Sequence, residues 1–163
     1  MKKLILFSLI AFAFLGCKVN LKENQKEISA VDTIQIFPRG ELITHENFKG
    51  KAWLKTLVTD KENFDLTVSN VEFESSARNN WHSHPGGQIL IGIKGNGYYQ
   101  EKEKPIQLIK VGDVIEILPN VVHWHGASPE GTFEHLAISA QQSKGTTVWL
   151  ESVTDEEYNS FIK

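Results

Sequence analysis

A single cysteine, Cys17, stands among 163 residues, so no intrachain disulfide can hold this chain together in whatever compartment it reaches. An excess of basic residues is also missing. Seventeen Lys and Arg against 20 Asp and Glu give a formal charge of -3, with both signs mixed along the chain. No basic surface able to neutralise nucleic-acid phosphates is expected, so nucleic acid is not an expected partner. Long apolar runs are scarce: the one that stands out, Leu4 to Leu15, is too short for an ordinary transmembrane helix. Neither an internal repeat nor a second domain shows. From about Ile34 onward there remain about 130 residues, one domain's worth of chain and enough to bury a core.

What is present begins at the N-terminus. "MKKLILFSLIAFAFLGCKVN" has a short basic start, an apolar run and a small residue before Cys17, the layout of an export signal. It resembles a bacterial lipoprotein signal in which "FLGC" is the cleavage box and Cys17 the lipidated first residue of the mature chain. From Lys18 to about Asp32 the chain is polar and charged, the composition of a solvated tether. Extended, such a tether reaches on the order of 50 Å at ~3.3 Å per residue. The expected organisation is a signal over residues 1–16, a flexible tether over 17–33 and a folded domain over 34–163. The chain would be exported and lipid-anchored to a bacterial membrane, on its periplasmic or outer-surface side.

The folded part reads as short strands separated by turn residues, which favours a sandwich or barrel. Candidate strands are "KAWLKTLV", "FDLTVSNVEF", "GQILIGIKG", "GYYQEK", "PIQLIKV", "DVIEIL", "VVHWHGAS", "FEHLAIS" and "TVWLES". Turn chemistry separates them at Asp60-Lys61-Glu62-Asn63, Gly95-Asn96-Gly97, Gly112-Asp113, Pro119-Asn120 and Ser128-Pro129-Glu130-Gly131. One short helix is expected at the end, where Thr154 precedes Asp155, Glu156 and Glu157 in a capping-box arrangement.

Five of the six histidines fall in a pattern. Strand residues i and i+2 share a face, so in "WHSH" the imidazoles of His82 and His84 stand side by side while Trp81 and Ser83 point away. The Pro85-Gly86-Gly87 turn then returns Gln88, an oxygen ligand, toward the pair. His123 and His125 repeat the spacing in "VVHWHGA", and His135 in "FEHLAIS" adds a fifth imidazole. His45, among polar residues, reads as surface. Two pairs and an inward strand position suggest a metal site, whereas any one of these histidines alone would suggest none.

At these residues the sequence resembles the cupin superfamily, small jelly-roll β-barrels whose first motif supplies HxH, a carboxylate or glutamine, and a glycine. Here that reads His82, His84, Gln88 and Gly95; the second motif begins at "GDVIEILP" and delivers His123. Pro119 comes one residue later than in most cupins and Ala127 stands where many have asparagine. Both departures are shared by the metal-dependent cupin hydroxynitrile lyases and by cupins joined to carboxymuconolactone-decarboxylase-like domains. Their runs "ARxxWHxHPxGQ", "GDVxxxxPxxxHWHGA", "HLAI" and "VTDEEY" are matched in order between Phe37 and Tyr158.

The resemblance implies an all-β cupin barrel with a short C-terminal helix. It also implies a divalent ion held by His82, His84, Gln88 and His123, with His125 and His135 as acid-base groups. Three imidazoles and an amide oxygen suit manganese or iron, with open positions for water or substrate; nickel and zinc stay open. Neutral Gln88 leaves the ion's charge uncompensated and sharpens it as a Lewis acid. Gln88 capping a strand, with three metal ligands, is the alternative, as is a His125 that only orients solvent. Where the resembled lyases place a glutamine near the substrate, this chain has Ser139, which would widen the pocket. The expected partner is a small molecule, and similar cupins commonly pair into homo-oligomers. Besides a hydroxynitrile lyase-like enzyme, a cupin dioxygenase and a non-enzymatic lipid-anchored binding module fit the same residues.

Overall fold

The computed structural model describes residues 35–58 and 60–161. The signal, Cys17 and the tether expected in residues 1–33 lie outside the described residues. A compact unit spans Phe37–Lys163. Its described residues form thirteen strands: β1 (Glu41–Leu42), β2 (Phe48–Lys49), β3 (Ala52–Val58), β4 (Leu66–Phe73), β5 (Arg78–Asn79), β6 (His82–Ser83), β7 (Gln88–Gly95), β8 (Gly97–Glu101), β9 (Gln107–Ile109), β10 (Val114–Ile117), β11 (His123–Ala127), β12 (Phe133–Ala140) and β13 (Val148–Trp149). Two helical turns, α1 (Lys61–Phe64) and α2 (Asp155–Tyr158), and a 3-10 turn at Gln142–Lys144 complete them.

The strands make two antiparallel sheets in a jelly-roll barrel. One sheet runs β1-β3-β4-β12-β7-β10; the other runs β13-β6-β11-β5-β2, with β8 on the far side of β11 and β9 beyond it. Directly opposed residues on neighbouring antiparallel strands share a face. Ser139 faces Thr67 on β4 and Gln88 on β7, Ala137 faces Ser69 and Leu90, and His135 faces Val71 and Gly92. These rows form the inner face of the first sheet. His82 of β6 lies opposite His123 of β11 on the second sheet.

Apolar side chains fill the rest of the interior around the fully buried Phe73, Leu90, Ile109 and Phe133. The alternation in "WHSH" and "HWH" is what divides the second sheet. Its imidazoles turn inward, while Trp81 and Trp124 turn outward into a second cluster with Tyr98, Val153 and Tyr158 of α2. The expected capping box closes α2: Thr154 accepts from the Glu157 amide at 3.1 Å, and the Glu157 carboxylate accepts from the Thr154 amide at 2.8 Å. Arg78, buried beneath, donates to the Val153 carbonyl at 3.0 Å and to Asp155 at 2.7 Å, tying the helix to β5. The expected break at Asp60 is also a helical turn, with Asp60 accepting from the Asn63 amide at 3.1 Å.

Candidate metal centre

Local backbone chemistry brings the ligand-type side chains together. After His84 the chain reverses at Gly86-Gly87, where the Gly87 amide donates to the His84 carbonyl at 3.1 Å. Gly87 has φ +82, and an added Cβ would lie 2.8 Å from the Ile117 carbonyl, so only glycine fits there without strain. Gln88 thereby opens β7 beside the imidazoles. The His82 and His123 ring centroids lie 4.2 Å apart, those of His82 and His84 5.1 Å, and those of His84 and His123 5.7 Å.

Hydrogen bonding fixes which ring nitrogens are free. Nδ1–H of His82 donates to the Asn80 carbonyl at 2.9 Å, and Nδ1–H of His123 donates to the Val121 carbonyl at 2.9 Å. A neutral ring with its proton on Nδ1 presents a lone pair at Nε2. Burial keeps these rings neutral. It holds His82 well below the ordinary imidazole value, with neighbouring His123 and His84 adding to the effect, and lowers His84 and His123 to about 4 each. His84 has Nδ1 3.4 Å from the Thr147 hydroxyl and a buried Nε2 with no partner.

Gln88 Oε1 sits 3.1 Å from His123 Nε2, while its amide nitrogen makes a long 3.5 Å contact to Ser139 Oγ. The lone pair on His123 Nε2 thus lies 3.1 Å from the Gln88 carboxamide, and a cation beside both would be held by that nitrogen and by Gln88 Oε1. The donor set, three imidazole nitrogens and one amide oxygen, suits a first-row divalent ion.

His125 makes a competing triad. Ligand atoms of His82, His123 and His125 all lie within 4.8 Å of one another. Asn79 engages the last of these rings. Its Oδ1 accepts the His125 backbone amide at 2.9 Å, which leaves its Nδ2–H to donate to His125 Nε2 at 3.0 Å. The Nε2 lone pair of His125 is thereby occupied, with its proton on Nδ1, whereas Nε2 of His84 has no hydrogen-bond partner. By ligand-atom distance His82, His123 and His125 form the tightest cluster among the described residues, and His84 and Gln88 stand beside it with Nε2 of His84 unengaged.

His135 stands behind His125, their centroids 4.9 Å apart and edge to face. It is fully buried, stacked between Phe73 at 5.8 Å and Phe133 at 5.0 Å, and neither ring nitrogen has a partner. Burial lowers it to about 3. It does not line the cavity, although His82, His84, Gln88, His125 and Ser139 all do. His45 is exposed, as its polar surroundings imply.

That cavity holds ≈ 190 Å³. Phe48, Leu54, Val71 and Trp149 give it apolar surface, and Thr67, Ser69, Ser139 and Thr147 line it with hydroxyls. Sequence reasoning missed Asn79, Thr67, Ser69, Phe48 and the Thr147–Trp149 segment. Trp149 packs 4.9 Å from His82 because β13 pairs with β6, a contact 67 positions apart in the chain that no local pattern announces. No local pattern marks Asn79: it stands three residues before His82 on a separate short strand, β5, and only the pairing of β5 with β11 points it at His125.

The family model of the AraC-like ligand-binding domain matches residues 63–158. An (R)-mandelonitrile lyase from Granulicella tundricola is 42% identical over 90 residues, which are 55% of this chain and 69% of that enzyme. The crystal structure of a cupin-like protein from Thermotoga maritima shares 51% identity at a TM-score of 0.76, over 78% of this chain and 98% of that one. A cupin 2 conserved barrel domain protein from Rhodopseudomonas palustris, at 15% identity and a TM-score of 0.57 over 73% of this chain and 77% of that one, shares the fold.

Proposed function

Because the chain belongs to the AraC-like ligand-binding domain family of the cupin superfamily, we propose that it is a divalent-metal-dependent cupin enzyme that cleaves and forms cyanohydrins. The observation that carries this reading is the convergence of free Nε2 lone pairs and Gln88 Oε1 at one end of a cavity with no charged side chain. The similarity to an (R)-mandelonitrile lyase supports the reaction class.

His82, His84, His123 and Gln88 would hold the ion, manganese or iron before nickel or zinc. When bound, the ion supplies Lewis-acid stabilisation of negative charge on a substrate oxygen. Cleavage of a cyanohydrin removes the hydroxyl proton, breaks the bond to the nitrile carbon, forms the carbonyl, and delivers one proton to cyanide. One neutral imidazole that accepts the proton and returns it balances the step. His125 is the cavity-lining ring not needed as a ligand, and it exchanges its Asn79 hydrogen bond for the substrate proton at Nε2. His135, edge to face behind it in the same dry space, would need a small ring shift to accept the Nδ1–H of the charged ring and so steady it. Ser139 sets the substrate's position beside Gln88. Through Cys17 we place this domain at a bacterial membrane surface, exported and lipid-tethered.

The test is mandelonitrile cleavage by chelator-treated protein reloaded with manganese, alongside His125→Ala. Activity restored by metal and reduced about 10²- to 10⁴-fold in His125→Ala is expected. Fully loaded protein that releases no cyanide would remove the lyase reading, and oxygen uptake with an enol-type substrate would replace it with a dioxygenase.

A further inference from the structure

The cavity carries a second recognition surface, distinct from the metal-binding end, that speaks to what substrate it takes. None of its lining residues is Lys, Arg, Asp or Glu, so away from the ion a carboxylate or phosphate on the substrate would find no countercharge. One wall comes from β4 and β12, where the register sets Thr67 opposite Ser139 and Ser69 opposite Ala137. All four line the cavity. Ser139 in turn lies opposite Gln88 and contacts its amide at 3.5 Å, so the hydroxyl wall starts directly beside the metal-binding end.

Among the described residues, the Thr67 and Ser69 hydroxyls have no protein hydrogen-bond partner, and both residues are only half-buried. The facing wall is Phe48 and Trp149, whose rings pack at 5.6 Å. An aromatic face attracts the positive edge of C–H bonds. A short carbon skeleton with hydroxyls toward one wall and C–H bonds toward the other satisfies both.

Resting on the lyase reading above, we propose that Thr67, Ser69 and Ser139 select a small, uncharged hydroxy-aldehyde or hydroxy-ketone, or its cyanohydrin, with a hydroxyl next to the reacting carbon. The hydroxyl groups of such a substrate donate to and accept from the wall, while an alkyl group in the same place leaves three hydroxyls facing apolar carbon.

A matched pair of probes tests this: 1,3-dihydroxyacetone and 3-pentanone have the same heavy-atom skeleton, with hydroxyl exchanged for methyl. Dissociation constants are read by saturation-transfer NMR on the full protein loaded with diamagnetic zinc, and bound metal is measured in parallel. Dihydroxyacetone is expected to bind at least about tenfold more tightly, two hydroxyls each contributing a few-fold through one net hydrogen bond. Thr67→Val/Ser69→Ala should bring the two probes within about twofold while metal content and unfolding midpoint stay unchanged. Ser139→Ala gives a second, independent reading should the double variant fold poorly.

Equal or tighter binding of 3-pentanone, a preference that survives both variants, or no binding of either probe overturns the proposal. Loss of the metal centre with the preference intact would instead remove the functional reading above and leave the hydroxyl wall standing.

Discussion

Lowering the pH should destabilise the metal-free domain far above the range where its carboxylates titrate. Burial holds His84 and His123 at about 4 and His135 at about 3, against an ordinary 6.5. The folded state therefore refuses protons that the unfolded chain accepts. A depressed value means the associated stability is fully present above about pH 6.5 and is lost as the pH falls toward about 4. One pH unit below the unfolded value corresponds to about 1.4 kcal/mol per group. Between pH 7.5 and 5.5 the three rings together therefore forfeit about 3 to 4 kcal/mol, less than the simple sum where His84 and His123 influence each other.

His82 and His125, also lowered by burial, act in the same direction. Asp155, lowered to about 2 by its hydrogen bonds to Lys49 and Arg78, acts only below about pH 4 and stays outside this window. A domain of this size is stable by roughly 5–15 kcal/mol, so the loss is a large fraction of the total. The assay is urea unfolding of chelator-treated protein at pH 7.5, 6.5 and 5.5, followed by tryptophan fluorescence. A change below about 1 kcal/mol across that range would refute the claim that these imidazoles are buried and neutral.

Other outcomes follow from the same packing. His135→Phe replaces an unpartnered polar ring between Phe73 and Phe133 with an apolar one; urea unfolding should show a gain of about 1–3 kcal/mol and a flatter acid response. Gly126→Ala should cost roughly 1–3 kcal/mol by the same assay, because its Cβ would stand 2.4 Å from the Ala77 carbonyl and 2.6 Å from the Arg78 side chain. It should also loosen the Asn79 clasp on His125, seen as lower turnover at unchanged metal content. Labelled palmitate should enter the wild-type chain and not Cys17→Ser; equal labelling would remove the lipid anchor.

The barrel was legible because its signals are local: alternation in "WHSH" and "VVHWHGA", glycines at the turns, and the Thr154 capping box each act over a few residues. Both HxH pairs sit in the face that the period-2 pattern dictates. Local pattern could not separate His84 from His125 as a ligand, because both lie two residues from an inward imidazole. The structure adds one difference between them, a carboxamide on β5 that meets β11 and engages Nε2 of His125, a tertiary contact. His135 shows the same gap. Its strand parity points inward as expected, but the bulk of Phe73 and Phe133 keeps it behind His125 and off the cavity wall. The very short strands β2, β5 and β13 carry too few residues to show a period, and they supply Phe48, Asn79 and Trp149.

The most direct test counts manganese bound per chain in wild type, His84→Ala and His125→Ala after loading and gel filtration. One ion per chain in wild type and in His125→Ala, with binding weakened at least about tenfold in His84→Ala, is the predicted result. Retention of the ion by His84→Ala with its loss from His125→Ala would contradict the centre assigned here, and a wild-type protein without stoichiometric metal would contradict it outright.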